Sequence, residues 1–369
     1  MKKTGDALGG GALRTKRLLI LSDGKPGHVK QSEAVAEQFK NISSQYARPG
    51  MEYPASTIEV KFKSSWHRRL FPWFAFFFIP WAQGRLRFLA WFFSPETQKA
   101  VENARADFII SAGASLVPLN LCFARDSRAK SIVLMKPSFP FHLFRYDLAM
   151  VPAHDRGPVP EGAFRTLLTP SCMEPARISG AAQKLAGSLP RPGKVKIAVF
   201  LGGPTRRFSL ELEPVRRLFS ALDRIASQKG DYLVTTSRRT PQVISDFLKR
   251  EVVNRAHCQK VVIAAEDSSP ETAPGMMALA SIVLVTEDSI SMISEAVSAG
   301  RKVIVLSLGS RGLPAKHKKF REILARESAI EVAGPEDLEE KIASLDLQKT
   351  PAILQLEKEA LAKRLQEFL

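Results

Sequence analysis

Short apolar runs alternate with longer amphipathic stretches along most of the chain. The runs are rich in Ile, Val and Leu, which is typical of strands buried on both faces of a parallel sheet. The stretches between them carry apolar residues at helical spacing. This alternation predicts an α/β fold built on parallel sheets. The predicted strands lie at residues 18–21, 106–111, 131–135, 148–152, 197–201, 281–286 and 302–308, with another beginning at residue 231.

The stretch from residue 281 to 309 is the most complete of these units, because it contains a strand, a loop, a helix, a tight turn and a second strand. In the loop, Asp288 and Ser289 can accept hydrogen bonds from the unpaired N–H groups that begin the helix. The same helix start favours an anion, typically a phosphate. Glu295 follows about two turns later. The ordinary alternative is a helix cap that binds no ligand.

Two further strands in this half of the chain end in residues suited to phosphate. Adjacent glycines follow the run at 197–201 and allow backbone N–H groups to face a phosphate. Paired arginines follow both strands, and each guanidinium supplies fork-shaped donors. No Walker loop is present, because GK[ST] does not follow the glycines. Together with Asp288 and Ser289, these strand ends predict one phosphate-binding crevice. The two segments are LGGPTRRF at 201–208 and TTSRRTP at 235–241.

The loop after the first strand, SDGKPGH at residues 22–28, carries the first acid–base candidates. Imidazole takes up a proton near neutral pH, so His28 is a candidate general base, with Asp23 as its rival or its orienting partner. Gly24 and Gly27 give the backbone room to approach a ligand. The alternative is a βα turn with an exposed histidine.

A second acid–base candidate, His154-Asp155, follows the strand at 148–152. Parallel strands present their carboxyl ends together, so this pair is expected to line the same edge of the first domain as His28. A surface loop without a catalytic role is the alternative.

Residues 66–93, here called the aromatic block, have the most unusual composition in the chain. All four tryptophans fall in it, arginines lie among the rings, and no acid occurs between Glu59 and Glu96. The uncharged run at 70–82 is shorter than the about 20 residues of a membrane span, and Pro72 and Pro80 are expected to break it. Such a block suits the headgroup boundary of an anionic membrane. The residues predicted to contact the membrane are Trp66, Arg68, Arg69, Trp73, Phe77, Trp81, Arg85, Arg87 and Trp91.

Two alternatives to a membrane-binding block differ in what the rings would contact. A buried aromatic helix pair would hide the rings and turn the arginines outward. An RNA-binding face is a poorer fit, because no RNP-like strand pattern surrounds the block.

The amino-acid composition indicates the chemical class of the partner. Lys and Arg total 54 against 37 Asp and Glu, giving a formal net charge of +17 and a pI near 9.9. The partner is therefore expected to be anionic: nucleic acid, an acidic membrane or a phosphorylated substrate. At 369 residues, two domains are expected. Three widely spaced cysteines indicate neither a disulfide framework nor a zinc site, and fit a reducing cytoplasm.

Five segments, in chain order, resemble the mitochondrial-fission (elongated mitochondria) family: SDGKPGHVKQSEAVAE, VPAHD, LGGPTRRF, TTSRRTP and VTEDSISMISEA. The resemblance implies a GT-B architecture, in which two Rossmann-like domains face each other across a cleft, the first for an acceptor and the second for a nucleotide-sugar donor. Members from bacteria are regarded as glycosyltransferases. The aromatic block and the segment TPSCMEP at 169–175 depart from the family's pattern, which bears on the acceptor. More loosely, residues 281–309 resemble the donor helix of the lipid-II-forming N-acetylglucosaminyltransferase, in which the glutamate matching Glu295 belongs to the donor site.

The resemblance implies a cytoplasmic enzyme, peripheral on the inner membrane, that moves a sugar from a nucleotide-sugar to a lipid-borne or cell-envelope glycan acceptor such as lipopolysaccharide. A displacement with a single base implies inversion at the anomeric carbon, and the absence of a DxD motif or a histidine cluster fits a reaction without a metal. No other cofactor and no nucleic acid are expected. The implied donor residues are Gly202, Gly203, Thr205, Arg206, Ser237, Arg238, Arg239, Thr240, Asp288, Ser289, Met292 and Glu295. The candidate bases are His28, Asp23 and Asp155, and the acceptor-loop residues are Gly24, Lys25, Gly27 and Gln31.

The expected organisation has a basic flexible tail at 1–15 and an acceptor domain at 16–175 that contains the aromatic block. Next come a linker at 176–194 and a donor domain at 195–345. The last segment, at 346–369, is expected to be a helix that packs back on the first domain. Plant members of the family are linked to the recruitment of a division dynamin, so a non-catalytic membrane adaptor on the same scaffold stays open. A Rossmann-type nucleotide-sugar epimerase ranks last, because neither GxGxxG nor YxxxK is present.

Overall fold

The computed structural model describes residues 14–45, 51–173, 175–267, 269–309, 312–347 and 352–367. It forms two compact units. Unit 1 takes the chain up to Val151, residues 157–165 and the chain from Ala360, and unit 2 takes Pro152–Arg156 and Thr166–Glu359. Of the predicted basic tail, residues 1–13 lie outside the described residues, and Arg14–Thr15 forms a short strand.

Unit 1 is built on a six-stranded sheet with an apolar core on each face. Its strands are β1 Arg14–Thr15, β2 Leu18–Ser22, β3 Met51–Glu52, β4 Ala55–Glu59, β5 Phe108–Ala112, β6 Lys130–Leu134, β7 Leu148–Pro152 and β8 Phe164–Thr166. Its helices are α1 Pro26–Gln45, α2 Ser65–Phe78, α3 Pro95–Asn103 and α4 Val117–Ser127. The sheet order is β4-β2-β5-β6-β7-β8, and β2 pairs in parallel with both β4 and β5. The order of connection therefore reverses between β2 and β5, which is a topological switch point.

Unit 2 contains the second six-stranded sheet, in the order β11-β10-β9-β12-β13-β14. Its strands, all parallel, are β9 Val195–Leu201, β10 Asp231–Thr236, β11 Cys258–Val262, β12 Ile282–Thr286, β13 Lys302–Leu306 and β14 Glu331–Ala333. Its helices are α5 Pro175–Ala186, α6 Leu212–Lys229, α7 Gln242–Phe247, α8 Thr272–Leu279, α9 Ile290–Ser298, α10 Ala315–Arg326 and α11 Leu338–Ser344. The last helix, α12 Ala352–Gln366, begins in unit 2 and passes into unit 1 at Ala360. This is the strand order of a Rossmann fold, with its switch point between β9 and β12. The predicted α/β class with two Rossmann-like units is confirmed.

The units divide the chain at points other than the predicted boundaries. Residues 176–194, expected to be a linker, belong to unit 2, because α5 packs closely on α8. A Cβ added to Gly275 of α8 would lie 2.8 Å from the carbonyl oxygen of Ala181 in α5. Helix α12 contributes Leu361 and Leu365 to the core of unit 1.

The strands that the sequence did not indicate lie at sheet edges. β4 has only Ile58 buried, and β11 is half-buried along most of its length. Edge strands lie against one neighbour, so their sequences lack the continuous apolar run of a central strand. The central strands agree with prediction to within a few residues at each end.

Candidate functional site

Asp23 and His28 meet at the carboxyl end of β2. Helix α1 begins at Pro26, whose fixed φ suits the first turn of a helix, so His28 lies in that turn rather than in the expected loop. Its Nδ1 is 3.0 Å from Asp23 Oδ1 and 3.1 Å from Oδ2. With Nδ1–H donating to the carboxylate, Nε2 carries the lone pair that can accept a proton. Asp23 is thus the orienting partner of His28.

The surroundings of this dyad favour a charged Asp23. Lys25 Nζ lies 3.0 Å from Asp23 Oδ2. Burial by itself would raise the pKa of Asp23, but the hydrogen bond from Lys25 and the charge of His28 outweigh it, and the pKa is lowered overall. An ionised carboxylate stabilises the imidazolium that forms when His28 takes up a proton.

Gly113, at the end of β5, makes the room for the His28 ring. Its φ is +94°, and a Cβ added there would lie 2.6 Å from His28 Cε1. β5 is the neighbour of β2 across the switch point, so the dyad occupies the place where α/β sheets bind ligands.

The other acceptor-loop residues differ in what the structure requires of them. Gly24 has a φ of +76°, which favours glycine, and Lys25 is engaged with Asp23. Gly27 lies in the first turn of α1, where an added Cβ would meet nothing within 4 Å. No neighbouring atom of the protein therefore requires a glycine at this position, and the role of Gly27 in the approach of a ligand stays a prediction. Gln31 lies one turn after His28 on α1.

Asp288 joins three strand ends in unit 2. Its Oδ2 accepts hydrogen bonds from Gly203 N and Arg239 Nη2, each at 3.0 Å, and its Oδ1 accepts one from Thr286 Oγ1 at 2.7 Å. Gly203 and Arg239 follow β9 and β10, and Thr286 is the last residue of β12. The Asp288 side chain is 0% exposed, whereas that of Arg239 is 48% exposed. One buried carboxylate therefore connects three strand ends at the switch point of unit 2.

This arrangement corrects two expectations about the donor residues. Ser289 is the residue that caps α9, accepting from Met292 N at 3.4 Å, and Asp288 does not cap the helix. The N–H groups of Gly202 and Gly203 donate to Thr286 and Asp288, so they are not directed at a phosphate.

The two glycines are required by close packing. A Cβ on Gly202 would collide with the Asp288 carboxylate, and one on Gly203 would collide with the backbone of Arg239. They allow strand ends to dock on each other, which is a different use of glycine from binding an anion.

The remaining predicted donor residues fall into three groups: hydroxyl residues that shape turns, residues of α9, and exposed arginines. Ser237 and Thr240 shape the turn after β10, since Thr240 Oγ1 donates to Gly202 O at 2.5 Å and Ser237 Oγ accepts from Arg239 N at 3.1 Å. Thr205 similarly accepts from Phe208 N at 3.2 Å. Met292 packs against the core of unit 2, and Glu295 is half-buried on the next turn of α9. Arg206 and Arg238 are exposed after β9 and β10.

Sequence reasoning missed three side chains next to Asp288. Glu287 is buried and pairs with Arg321 Nη1 at 2.5 Å, 34 residues along the chain. Burial raises the pKa of Glu287, although Arg321 opposes the rise. His317 forms a hydrogen bond with the backbone of Asp288, and burial lowers the pKa of His317. Glu287 adjoins Asp288 in the sequence, but nothing local marks His317 or Arg321, which come from α10.

His154 and Asp155 fall in unit 2, whereas the strand pattern predicted them at an edge of the first domain. Pro152–Arg156 belongs to unit 2, where Asp155 pairs with Lys316 Nζ of α10 at 2.8 Å. His154 is buried with its ring edge-on to Phe320, and its Nδ1 has no hydrogen-bond partner within the described residues. Burial, reinforced by Lys316 and opposed by Asp155, lowers the pKa of His154 to about 4. His154-Asp155 is thus not a second copy of the dyad.

The aromatic block forms α2 and two 3₁₀ segments, Ile79–Trp81 and Leu86–Phe92. Contrary to expectation, α2 runs through Pro72, while Pro80 lies beyond its end. The predicted membrane residues are exposed, including all four tryptophans. Others, such as Phe71 and Phe92, fill the core of unit 1.

Across the described ranges, no helix is long and apolar enough to cross a membrane. In the same part of the chain, no group of three or more His, Cys, Asp or Glu side chains could hold a metal ion.

The model of a family described as mitochondrial fission ELM1 matches residues 26–355. This chain belongs to that family. An uncharacterized protein of Rickettsia prowazekii is 25% identical over 264 residues, covering 62% of this chain and 72% of that protein. The mitochondrial fission protein ELM1 of Arabidopsis thaliana is 26% identical over 227 residues. That match covers 54% of this chain and only 51% of the plant protein.

Two solved structures resemble this ELM1-family chain in fold. A protein described as a UDP-N-acetylglucosamine 2-epimerase of Listeria monocytogenes gives a TM-score of 0.50 at 11% identity, covering 96% of this chain and 91% of that one. A family 9 glycosyl transferase of Veillonella parvula gives a TM-score of 0.43 at 12% identity, covering 95% and 98%. At 11% identity, the similarity to the Listeria protein shows the fold alone.

Proposed function

We propose that this chain is a glycosyltransferase that moves a sugar from a nucleotide-sugar to a lipid-borne or cell-envelope glycan acceptor. The observation that carries the proposal is the Asp23–His28 dyad at the switch point of unit 1. An imidazole oriented by an ionised carboxylate can remove the proton of a hydroxyl group, and an acceptor sugar or lipid presents such a group.

In the proposed reaction, His28 Nε2 takes the proton of the acceptor hydroxyl as its oxygen forms a bond to the anomeric carbon. The bond from that carbon to the diphosphate breaks, and its electron pair leaves with the nucleoside diphosphate. Asp23 stabilises the imidazolium ion. Displacement in one step inverts the anomeric configuration.

Unit 2 is proposed to bind the donor. The leaving diphosphate gains negative charge, which is stabilised by a helix N-terminus and by cations. Helix α9, capped by Ser289, begins at the same sheet edge as Arg238 and Arg239. Because Asp288 partly neutralises Arg239, the exposed Arg206 and Arg238 are assigned the larger share of phosphate binding. Glu295 is assigned to a donor hydroxyl.

Isothermal titration against a panel of nucleoside diphosphates and nucleotide-sugars tests this proposal. We expect saturable binding of one nucleotide, at least tenfold weaker in Arg238→Gln, because a hydrogen bond to a charged group contributes about 1.5–3 kcal/mol. Arg224→Gln, on α6, is the matched control and should bind normally. Glu295→Ala should weaken binding of the nucleotide-sugar and spare the nucleoside diphosphate.

A non-catalytic membrane adaptor is the second candidate, favoured by the name of the Arabidopsis relative, a mitochondrial fission protein. An adaptor needs no nucleotide. Absence of binding across the whole panel, with circular dichroism showing a folded protein, would refute the transferase and leave the adaptor.

A further inference from the structure

Seven large aromatic side chains of the aromatic block are exposed, and the six that are more than half exposed are together called the aromatic surface. They are Trp66, Trp73, Phe77, Trp81, Phe88 and Trp91. Their exposed fractions run from 54% to 71%. Soluble proteins rarely expose so many large apolar side chains within one short segment, and such exposure indicates an interaction site.

Helix α2 separates the exposed rings from the buried ones. At roughly 100° per residue, Trp66, Trp73 and Phe77 fall within about 40° of one another around the helix. Phe71 and Ala75 lie on the opposite side and are completely buried. The sequence of α2 therefore makes two apolar faces, of which the core of unit 1 covers one.

Arginines border the exposed rings. Arg85 Nη1 donates to the carbonyl oxygen of Trp81 at 3.1 Å, and the guanidinium carbon of Arg87 lies 5.3 Å from the centre of the Phe88 ring. Arg68 and Arg69 are exposed on α2. No acid stands between Glu59 and Glu96 to offset these charges. Rings at the headgroup level with arginines beside them are the pattern of an interfacial membrane element.

Both ends of the aromatic block meet beside the dyad's sheet edge. Val60 N, directly after β4, donates to the carbonyl oxygen of Ser22 at 2.8 Å, and Ser22 is the residue before Asp23. The chain then enters α2 at Ser65. It returns where Phe62 pairs with Phe93, with Lys63 N donating to Phe92 O at 3.1 Å. The segment that carries the block is thus held within unit 1, next to the end of β2, at both of its ends.

We propose that the aromatic surface docks on a bilayer with anionic headgroups and holds the Asp23–His28 edge of unit 1 against the lipid. The rings enter the headgroup region and the arginines bind lipid phosphates. The second part rests on the proposed function: the acceptor hydroxyl reaches His28 from the bilayer, because the block begins and ends at the dyad's edge.

Co-sedimentation with phosphatidylcholine vesicles, with and without phosphatidylglycerol, tests the docking. We expect the protein to bind only the anionic vesicles. Trp73→Ser/Phe77→Ser should weaken binding at least tenfold, since the substituted side chains face away from the core. Arg85→Gln/Arg87→Gln should weaken it about thirtyfold, because each arginine near an anionic surface contributes about 1 kcal/mol.

Matched controls come from unit 2. Val243→Ser/Leu356→Ser removes exposed apolar side chains, and Arg216→Gln/Arg217→Gln removes two charges, outside the block. Both should bind like the natural protein. Equal binding to neutral vesicles, or retained binding by the serine variant, would overturn the proposal. So would a lipid-free dimer that the serine variant abolishes, with no vesicle binding, since the surface would then be a protein interface.

A second readout separates this inference from the proposed function. The serine variant should keep its affinity for nucleotide and its rate with a soluble acceptor, while its KM for a vesicle-borne acceptor rises. If the natural protein binds vesicles but transfers no sugar, the docking stands and the transferase fails. If the serine variant uses both acceptors equally well, the presentation of acceptor from the bilayer is wrong.

Discussion

Asp23 of unit 1 and Asp288 of unit 2 are buried carboxylates at the switch points of two similar sheets, yet they bind different partners. Asp23 contacts a histidine imidazole and a lysine ammonium of its own loop. Asp288 accepts hydrogen bonds from residues that follow three different strands. The first carboxylate orients a group that can titrate, and the second holds loops together.

This difference shows that place in a fold does not fix a residue's role. At the switch point of unit 1, Gly113 leaves space that the His28 ring fills. In unit 2, Gly202 leaves space that the Asp288 carboxylate itself fills. Gly113 thus makes room for the imidazole of a candidate base, whereas Gly202 makes room for a carboxylate that connects loops.

The largest expected effect concerns the dyad. His28→Ala should lower kcat about a thousandfold, within the range of general-base catalysis, and leave nucleotide affinity unchanged. Asp23→Asn should lower kcat by up to the same factor, because the ring loses the charged partner that fixes its orientation and tautomer. Steady-state kinetics with the donor found by titration measure both, with His142→Ala as the control histidine of unit 1. Full activity in His28→Ala would remove His28 as the base.

The comparison predicts that removing Asp288 lowers the free energy of unfolding much more than removing Asp23. Asp288→Ala leaves a buried N–H and a buried hydroxyl without their acceptor, at a cost of about 4 kcal/mol in the free energy of unfolding. Asp23→Ala should cost about 1 kcal/mol, because its partners are local and reach solvent. Urea unfolding measures both. All four tryptophans lie in unit 1, so fluorescence follows that unit and circular dichroism follows both. Equal losses for the two variants would contradict the assigned roles.

A smaller effect concerns the pH dependence of stability that His154 contributes. The pKa of folded His154 is lowered to about 4 by burial, against an ordinary value near 6.5. Between these values the unfolded chain binds a proton that the folded chain does not, so stability falls as pH falls. The loss should reach about 3 kcal/mol by pH 4. His154→Gln should remove that part of the pH dependence of urea unfolding, and an unchanged slope would show that His154 titrates normally.

Much of the fold was predictable because the central strands are continuous apolar runs, as at Ile197–Leu201 within β9 and in β12. The same signal placed candidate residues at strand ends. It failed at β4 and β11, where exposure on one side removes the pattern. It also failed at the division between units, because α5 resembles a linker in sequence and becomes part of unit 2 only by packing on α8.

The sequence alone determined which residues stand at the ends of strands, because burial requires apolar runs and turns require small or polar residues next to them. Tertiary structure decided which of these residues touch. Asp288 meets Arg239 from 49 positions away, and His28 packs against Gly113 on another strand. Such contacts depend on the order of strands in the sheet and on the space around each side chain, and no local stretch of sequence determines either. The same holds for the two faces of α2, since only packing decided which of its aromatic stripes would be covered.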